Sequence, residues 1–460
     1  MQHTILLDFG STYTKMCVFD LNNAEVVLTT RHPSTVRTDA GIGLMANLDS
    51  AAEVIGRANV RKAQIVASSS AAGGLRMVVV GLTPRYSLLA GTNVALGAGA
   101  RVIKSYSFRL NDADLLEIET IDPEILLLCG GVEDGNAEWL YENAEKLANG
   151  RNFRFPVVYA GNRTVAREIR TLFLQNKKEC YVVENVFPQL DVLHAGPAGE
   201  VIRNLFMKRI TGMKGLNQVK AMIGEIIMPT PAAVLAGGTL VAEGADGAEG
   251  FGKSLVFDIG GATTDVYSFL KNTAGDAKQV GSPEPEYKRT VEGDLGLRSS
   301  ALSLLETADV KKLAAQLGAD EKRILEECRY RTEHEDFVAA DDWGRQFDYE
   351  LAKLAVFFSA RRHGGHIENA YAKGAKEIQV GKNLTKVDTV IGTGGPIING
   401  IDPKGVMQQA LRCEDEKEIL LPHKVRFYLD KKYLLYAVGL CASIDPAGAF
   451  EIARRNIEEI

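Results

Sequence analysis

A strand, a tight glycine turn and a second strand occur twice in this chain, each time with an aspartate closing the first strand. The fuller copy is Leu255-Val256-Phe257-Asp258-Ile259-Gly260-Gly261-Ala262-Thr263-Thr264-Asp265-Val266. Glycine has no Cβ, so backbone N–H groups at such a turn can approach phosphate oxygens closely. The threonine hydroxyls add donors. Aspartates repel phosphate, so Asp258 and Asp265 suit a Mg²⁺ ion, its waters, or the orientation of an attacking water. The other copy is Thr4-Ile5-Leu6-Leu7-Asp8-Phe9-Gly10-Ser11-Thr12-Tyr13-Thr14-Lys15. Two copies with the same internal order, about half the chain apart, predict a duplicated architecture with two phosphate hairpins facing one nucleotide. Lys15 fits either a phosphate contact or a solvated strand position.

A third glycine turn is Val387-Asp388-Thr389-Val390-Ile391-Gly392-Thr393-Gly394-Gly395-Pro396-Ile397-Ile398-Asn399-Gly400. A buried strand enters it and a helix leaves it, and backbone exposed there can contact the sugar or base of a nucleotide. Gly293, in Val291-Glu292-Gly293-Asp294-Leu295-Gly296-Leu297-Arg298, ends a predicted third strand of the second half.

The 460 residues, 46% of them hydrophobic, suffice for two or three cored domains. A net charge of −6 without a long basic run excludes nucleic acid as a partner. The six cysteines form no CxxC pair and read as reduced, mostly buried thiols of a cytoplasmic protein. The N-terminus enters a strand directly, without the pattern of a signal peptide, and no apolar stretch suits a membrane span. His363 and His366 are the one close histidine pair and fit a metal site or, more simply, a solvated turn.

Along the chain, residues 5–30 read as an antiparallel meander. From 63 to 188 short apolar strands alternate with helices, which predicts a parallel sheet. Within it, Cys129-Gly130-Gly131-Val132-Glu133-Asp134-Gly135-Asn136 fits a ligand loop at a strand's carboxyl end or a plain turn with an Asp or Asn cap. Pro229-Thr230-Pro231-Ala232-Ala233 starts a small-residue helix. Tyr433–Ser443 is a second such helix that could pair with it, giving a shear point between domains. Lys271–Tyr287 reads as a surface loop, Asp309–Phe358 as an amphipathic helical subdomain, and Ala449–Ile460 as a charged helix.

Asp8-Phe9-Gly10-Ser11-Thr12 resembles the first phosphate motif of the actin, sugar kinase and heat-shock chaperone ATPases. Asp258–Asp265 resembles their second, and Gly392-Thr393-Gly394-Gly395-Pro396 their adenosine motif. Ser69–Val78, Ala95–Ala100 and Gly130–Asn136 further resemble the glutamate mutase L family, distinct from the mismatch-repair protein that shares the abbreviation MutL. The resemblance implies an α/β, two-domain actin-like ATPase with ribonuclease H-like duplicated domains. Residues 1–240 plus 430–460 would form domain I, with an inserted α/β region around 63–188. Residues 245–429 would form domain II, with the helical subdomain around 300–360.

The resemblance also implies ATP/ADP and Mg²⁺ as cofactors. Asp8 and Asp258 would hold the ion through water, and Asp258 or Asp265 would orient the attacking water. Gly10, Ser11, Thr12 and Lys15 would bind phosphate from one side, and Gly260, Gly261, Ala262, Thr263 and Gly293 from the other. Gly392, Gly394 and Gly395 would contact adenosine. Ala262 stands where the chaperone pattern has glycine, which is tolerable if its φ is negative. The implied role is a weak ATPase that acts as an accessory, reactivating factor for an adenosylcobalamin-dependent mutase such as glutamate mutase, with no membrane partner and possible oligomerisation. A small-molecule kinase, an ATP-dependent hydrolase or a nucleotide-switched assembly protein would use the same fold.

Overall fold

The computed structural model describes residues 3–10, 12–36, 38–70, 75–150, 152–210, 226–273, 277–369 and 377–460. The chain forms two compact units, the first comprising Met1–Gly237, Gly281–Pro285 and Tyr436–Ala449. Its main sheet starts with β1 (His3–Phe9), β2 (Tyr13–Asp20) and β3 (Glu25–Pro33), an antiparallel meander as the sequence predicts. β4 (Gln64–Ser69) then joins β1 in parallel. β1 is buried along its whole length because it lies centrally, with Ile5, Leu7 and Phe9 in the core. The helix Ala40–Ile55 starts at Asp39, whose side chain accepts from the Gly41 amide at 2.8 Å, and packs Leu44, Leu48 and Ala51 into the same core.

After β4 the chain builds a second sheet from β5 (Leu75–Val80), β6 (Ala100–Tyr106), β7 (Ile125–Leu128), β8 (Val157–Tyr159) and β9 (Cys180–Val182). The order is β6-β5-β7-β8-β9 and every pairing is parallel. This is the doubly wound arrangement that alternating strands and helices predict. The sequence boundary at 63 differs from the structure, since Gln64–Ser69 belongs to the main sheet. β10 (Ile226–Pro229) then returns beside β4, giving the main sheet the order β10-β4-β1-β2-β3.

The second unit comprises Gly238–Val280, Glu286–Leu435 and Phe450–Ile460. A small hairpin of β11 (Gly244–Ala245) and β12 (Ala248–Glu249) precedes β13 (Ser254–Ile259) and β14 (Thr264–Phe269). β15 (Lys278–Val280) interrupts the stretch read as a loop, and β16 (Tyr287–Glu292) pairs with β14. β17 (His366–Glu368) and β18 (Ile378–Val380) form a small sheet with β15. β19 (Thr389–Thr393), β20 (Arg426–Leu429) and β21 (Glu458–Glu459) complete the order β16-β14-β13-β19-β20-β21.

Without its edge strand β21, this sheet repeats the first unit's pattern: an antiparallel meander, then two strands added in parallel beside its first strand. That duplication defines a two-domain, ribonuclease H-like α/β architecture of the actin-like type. Helices Val310–Gln316, Glu321–Glu333 and Asp342–His363 form the predicted helical region and place Leu313, Ile324, Phe347, Leu351 and Ala355 in the core of the second unit.

Two sequence readings need correction. The charged terminal helix runs Pro446–Asn456 and is followed by β21, so Phe450–Ile460 lies with the second unit instead of the first. His363 is neither a metal ligand nor in a solvated turn. It is fully buried, with Nδ1 at 2.8 Å from the Thr290 hydroxyl and Nε2 at 2.8 Å from the Ser268 hydroxyl. Burial, with the charges of Lys288 and Lys382, holds its pKa well below the usual imidazole value, so it is neutral.

The two small-residue helices meet as the sequence suggests. Within the first unit a Cβ at Gly439 would overlap the Ala233 carbonyl oxygen and stand 2.7 Å from the Gly237 amide nitrogen. Only a residue without a side chain lets these backbones come so close.

Candidate functional site

The two aspartate hairpins share one turn. The Gly10 amide donates to the Tyr13 carbonyl at 3.0 Å, and the Gly260 amide donates to the Thr263 carbonyl at 2.8 Å. These two amides, expected from sequence to bind phosphate, are engaged in closing the turns. The tip residues are exposed: Thr12 in the first hairpin, Gly261 and Ala262 in the second. Among the described residues the amides of Gly261 and Ala262 have no backbone acceptor. Ala262 is not among the residues with positive φ, so alanine stands there without strain. Ser11, also expected to bind phosphate, lies outside the described residues.

Asp8, next to last in β1, is buried, 3% exposed. The Thr230 hydroxyl donates to its Oδ1, and Thr230 also approaches the Ser68 hydroxyl at 3.3 Å. Burial pushes the Asp8 carboxyl above the usual range, against the opposing pulls of Lys15 and the Thr230 and Ser68 hydroxyls. Lys15 stands across the hairpin from Asp8 in register and is half-buried, so its charge is directed at this carboxylate. A buried carboxylate flanked by hydroxyls is a hard-oxygen donor set of the kind Mg²⁺ takes, and a cation would relieve the cost of burying the charge.

Asp258 faces Asp265 across the second hairpin. Asp265 is engaged already: Arg289 approaches its Oδ1 with Nε at 2.8 Å and Nη2 at 2.7 Å, and Thr263 donates to Oδ2 at 3.2 Å. Arg289 is only 5% exposed, so Asp265 neutralises a buried cation. Asp258 sits beside the third turn: a Cβ on Gly394 would lie 2.8 Å from Asp258 Oδ1 and would overlap the Ile259 carbonyl oxygen. Gly394 also has φ +89°, which only glycine adopts freely, and it caps the short helix Gly395–Ile398.

Gly395 lies at this turn too, where a Cβ would stand 3.4 Å from the Tyr433 hydroxyl. Gly392 differs from the expectation. It is buried in β19, where a Cβ would press on Met407 Sδ at 2.6 Å, so its lack of a side chain answers core packing instead of ligand approach. Gly293 is brought to the hairpin: the Ser300 hydroxyl bonds the Ala262 carbonyl at 2.7 Å and the Gly293 carbonyl at 2.9 Å.

The structure therefore assembles Asp8, Lys15 and Thr12 in one unit, and Asp258, Asp265, Gly261, Ala262, Thr263, Gly293, Gly394 and Gly395 in the other. Sequence reasoning missed Ser68 and Thr230. Ser68 lies in β4 opposite Asp8 and Thr230 follows β10, which pairs with β4, and the only signal was the run Pro229-Thr230-Pro231 at a helix start. The Gly130–Asn136 loop is closed internally. Asn162 donates to the Gly135 carbonyl at 2.9 Å, Asn185 to the Gly131 carbonyl at 2.8 Å, and Asn136 accepts from the Glu138 amide at 2.8 Å, the arrangement of a capped turn.

Duplicated sheets with an aspartate hairpin in each define a chain of the actin-like ATPase fold. The sequence profile described as MutL protein matches residues 4–457, and the chain belongs to that family. It is 38% identical over 463 residues to Protein MutL of Clostridium tetanomorphum, covering 100% of both chains. Solved structures with fold similarity include an activator of 2-hydroxyisocaproyl-CoA dehydratase from Clostridium difficile with bound ADPNP, at 10% identity and TM-score 0.30 over 100% of this chain and 99% of that one. Another is a diol dehydratase-reactivating factor in nucleotide-free form, at 11% identity and TM-score 0.37 over 96% and 99%. A xylulose kinase from Bifidobacterium adolescentis shows 12% identity and TM-score 0.31 over 100% and 94%. At such TM-scores these likenesses carry no weight here, and the fold assignment rests on strand order and family. Among the described residues no helix is long and apolar enough to cross a membrane.

Proposed function

We propose that the chain is an ATP-dependent accessory factor: it binds and slowly hydrolyses MgATP and thereby reactivates an adenosylcobalamin-dependent mutase such as glutamate mutase. The observation that carries the ATP reading is the repeated hairpin, with Asp8 and Asp258 in the same place beside the same four-residue turn. Family membership supports the accessory role. The mutase client and a cytoplasmic setting are the finer parts of the proposal.

In this reading both hairpins serve one nucleotide. Thr12, Gly261, Ala262 and Thr263 donate to phosphate oxygens, and Lys15 adds positive charge beside Asp8. Gly394 and Gly395 leave backbone open to adenosine, and Gly293 supports the second tip. Mg²⁺, held through water by Asp8 and Asp258, would neutralise phosphate charge. Asp258 orients the attacking water in preference to Asp265, whose charge is committed to Arg289. Catalysis is then mainly positioning and charge neutralisation. The nucleotide state would shift the first unit (Met1–Gly237, Gly281–Pro285 and Tyr436–Ala449) and the second (Gly238–Val280, Glu286–Leu435 and Phe450–Ile460) between arrangements of different affinity for the client.

The test is reconstitution with an inactivated adenosylcobalamin mutase. Recovery of mutase activity that needs this protein, ATP and Mg²⁺ together supports the proposal. No recovery, with ATP consumption stimulated by a small metabolite instead, would replace it with the kinase reading.

A further inference from the structure

The tip of the second hairpin is braced by the segment that follows β16. The Leu297 amide donates to the Gly260 carbonyl at 3.1 Å and the Arg298 amide to the Gly261 carbonyl at 2.7 Å. The Thr264 hydroxyl donates to the Leu295 carbonyl at 2.7 Å. With the Ser300 bonds, backbone and hydroxyl groups hold the turn. The stem of Arg298 packs on Gly261, whose Cβ position would be 3.2 Å from Arg298 Cβ.

The Arg298 guanidinium folds Nη1 back onto the Leu297 carbonyl at 2.8 Å and turns its other nitrogens away from the hairpin. Its Nε donates to the Phe337 carbonyl at 2.9 Å and its Nη2 to Asp348 Oδ2 at 2.9 Å. The other Asp348 oxygen accepts from Arg331 Nε at 2.7 Å. Arg331 is fully buried, reaches Glu327 at 2.6 Å, and lies over the Phe347 ring at 4.5 Å. Trp343 stacks on Phe347, with centroids 5.4 Å apart and planes at 10°. A continuous path of charge-assisted bonds and ring contacts thus runs from the hairpin tip into helices Glu321–Glu333 and Asp342–His363.

We infer that Arg298 is a positioning residue that couples nucleotide contact at Gly261 and Ala262 to the packing of the helical region 310–363. The inference rests on the nucleotide reading above. A guanidinium is planar and rigid, so a displacement of its stem moves both ends of the fork together. Asp348 holds Arg298 and Arg331 on its two oxygens, and the movement passes to a buried cation whose surroundings are close-packed. Nucleotide that shifts the Gly261 peptide therefore biases the helical region, and by reciprocity the state of the helices biases nucleotide affinity.

The protein has two tryptophans, Trp139 and Trp343, so the full-length Trp139→Phe protein reports the helical region through Trp343 alone. Calorimetry with ATP and Mg²⁺ first establishes binding to this protein. Its Trp343 emission then shifts with ATP, and hydrogen exchange in Glu321–Glu333 changes. Adding Arg298→Lys keeps the charge and the stem but loses the fork. ATP still binds, while the emission shift falls on the order of 5-fold or more. Asp348→Asn cuts the same path from its far end and gives the same loss, and it decides the matter if Arg298→Lys does not fold. Unchanged emission and exchange on ATP binding, or a full shift in either variant, would overturn the coupling. Absence of ATP binding to the Trp139→Phe protein would instead overturn the nucleotide reading itself, and the coupling with it.

Discussion

Lys15 stands opposite Asp8 in the register that Asp265 occupies opposite Asp258. The two hairpins match in their turns and first carboxylates but differ in the residue across the strand. One carboxylate faces a cation, and the other faces a carboxylate that Arg289 has already claimed. In the proposed function this difference assigns the metal beside phosphate to the first hairpin and the attacking water to Asp258 of the second.

The burial of Asp8 has a consequence for stability. Its folded pKa is raised above 3.8 by burial, so the unfolded carboxyl ionises first. The nucleotide-free fold therefore loses stability as pH rises from about that value through the raised pKa. Asp8→Asn, melted in EDTA without nucleotide, should show a higher melting temperature than the unmutated protein at neutral pH. The difference should vanish in acid. Equal melting temperatures at neutral pH would contradict the assignment.

Asp265 and Arg289 should behave as one unit. Asp265→Asn leaves a nearly buried guanidinium uncompensated and should cost about 3–5 kcal/mol, measured by denaturant unfolding. The double variant Asp265→Asn/Arg289→Met should recover most of that loss and retain ATP turnover per folded molecule. A folded double variant without turnover would return Asp265 to the catalytic set.

Two glycines are fixed by space. Gly439→Ala puts a methyl group into the Ala233 backbone and should cost about 1–3 kcal/mol as the helices part. Gly394→Ala meets both positive φ and the Ile259 carbonyl, with a similar cost of about 1–3 kcal/mol from strain, and should also weaken nucleotide binding. Thermal melts and calorimetry separate the two, since the atoms nearest a Gly439 Cβ belong to Ala233 and Gly237, outside the proposed nucleotide set.

The hairpins, the parallel inserted sheet and the pairing of small-residue helices were legible because they rest on local patterns. An apolar run ending in Asp-x-Gly can hardly be anything but a strand and turn, and alanine-glycine helices have few uses besides close packing. The environment of Asp8 was not legible, because Ser68 and Thr230 reach it through parallel strand pairing, which leaves no fixed spacing in sequence. Arg289 was hidden too: its partner Asp265 lies on the neighbouring antiparallel strand, 24 residues away in sequence and off the direct register. Gly392 shows the limit of motif reading, since a glycine beside a ligand and a glycine beside Met407 look the same in a sequence. His363 was misread because a polar run, Arg361-Arg362-His363-Gly364-Gly365-His366, suggested solvent, while the long helix it ends turns that ring inward.

ATP hydrolysis measured side by side for the unmutated protein, Asp8→Ala and Asp258→Ala tests the two-hairpin claim most directly. Turnover in the unmutated protein, reduced on the order of 100-fold or more in each folded variant, is the expected result. Full turnover in either folded variant would contradict it.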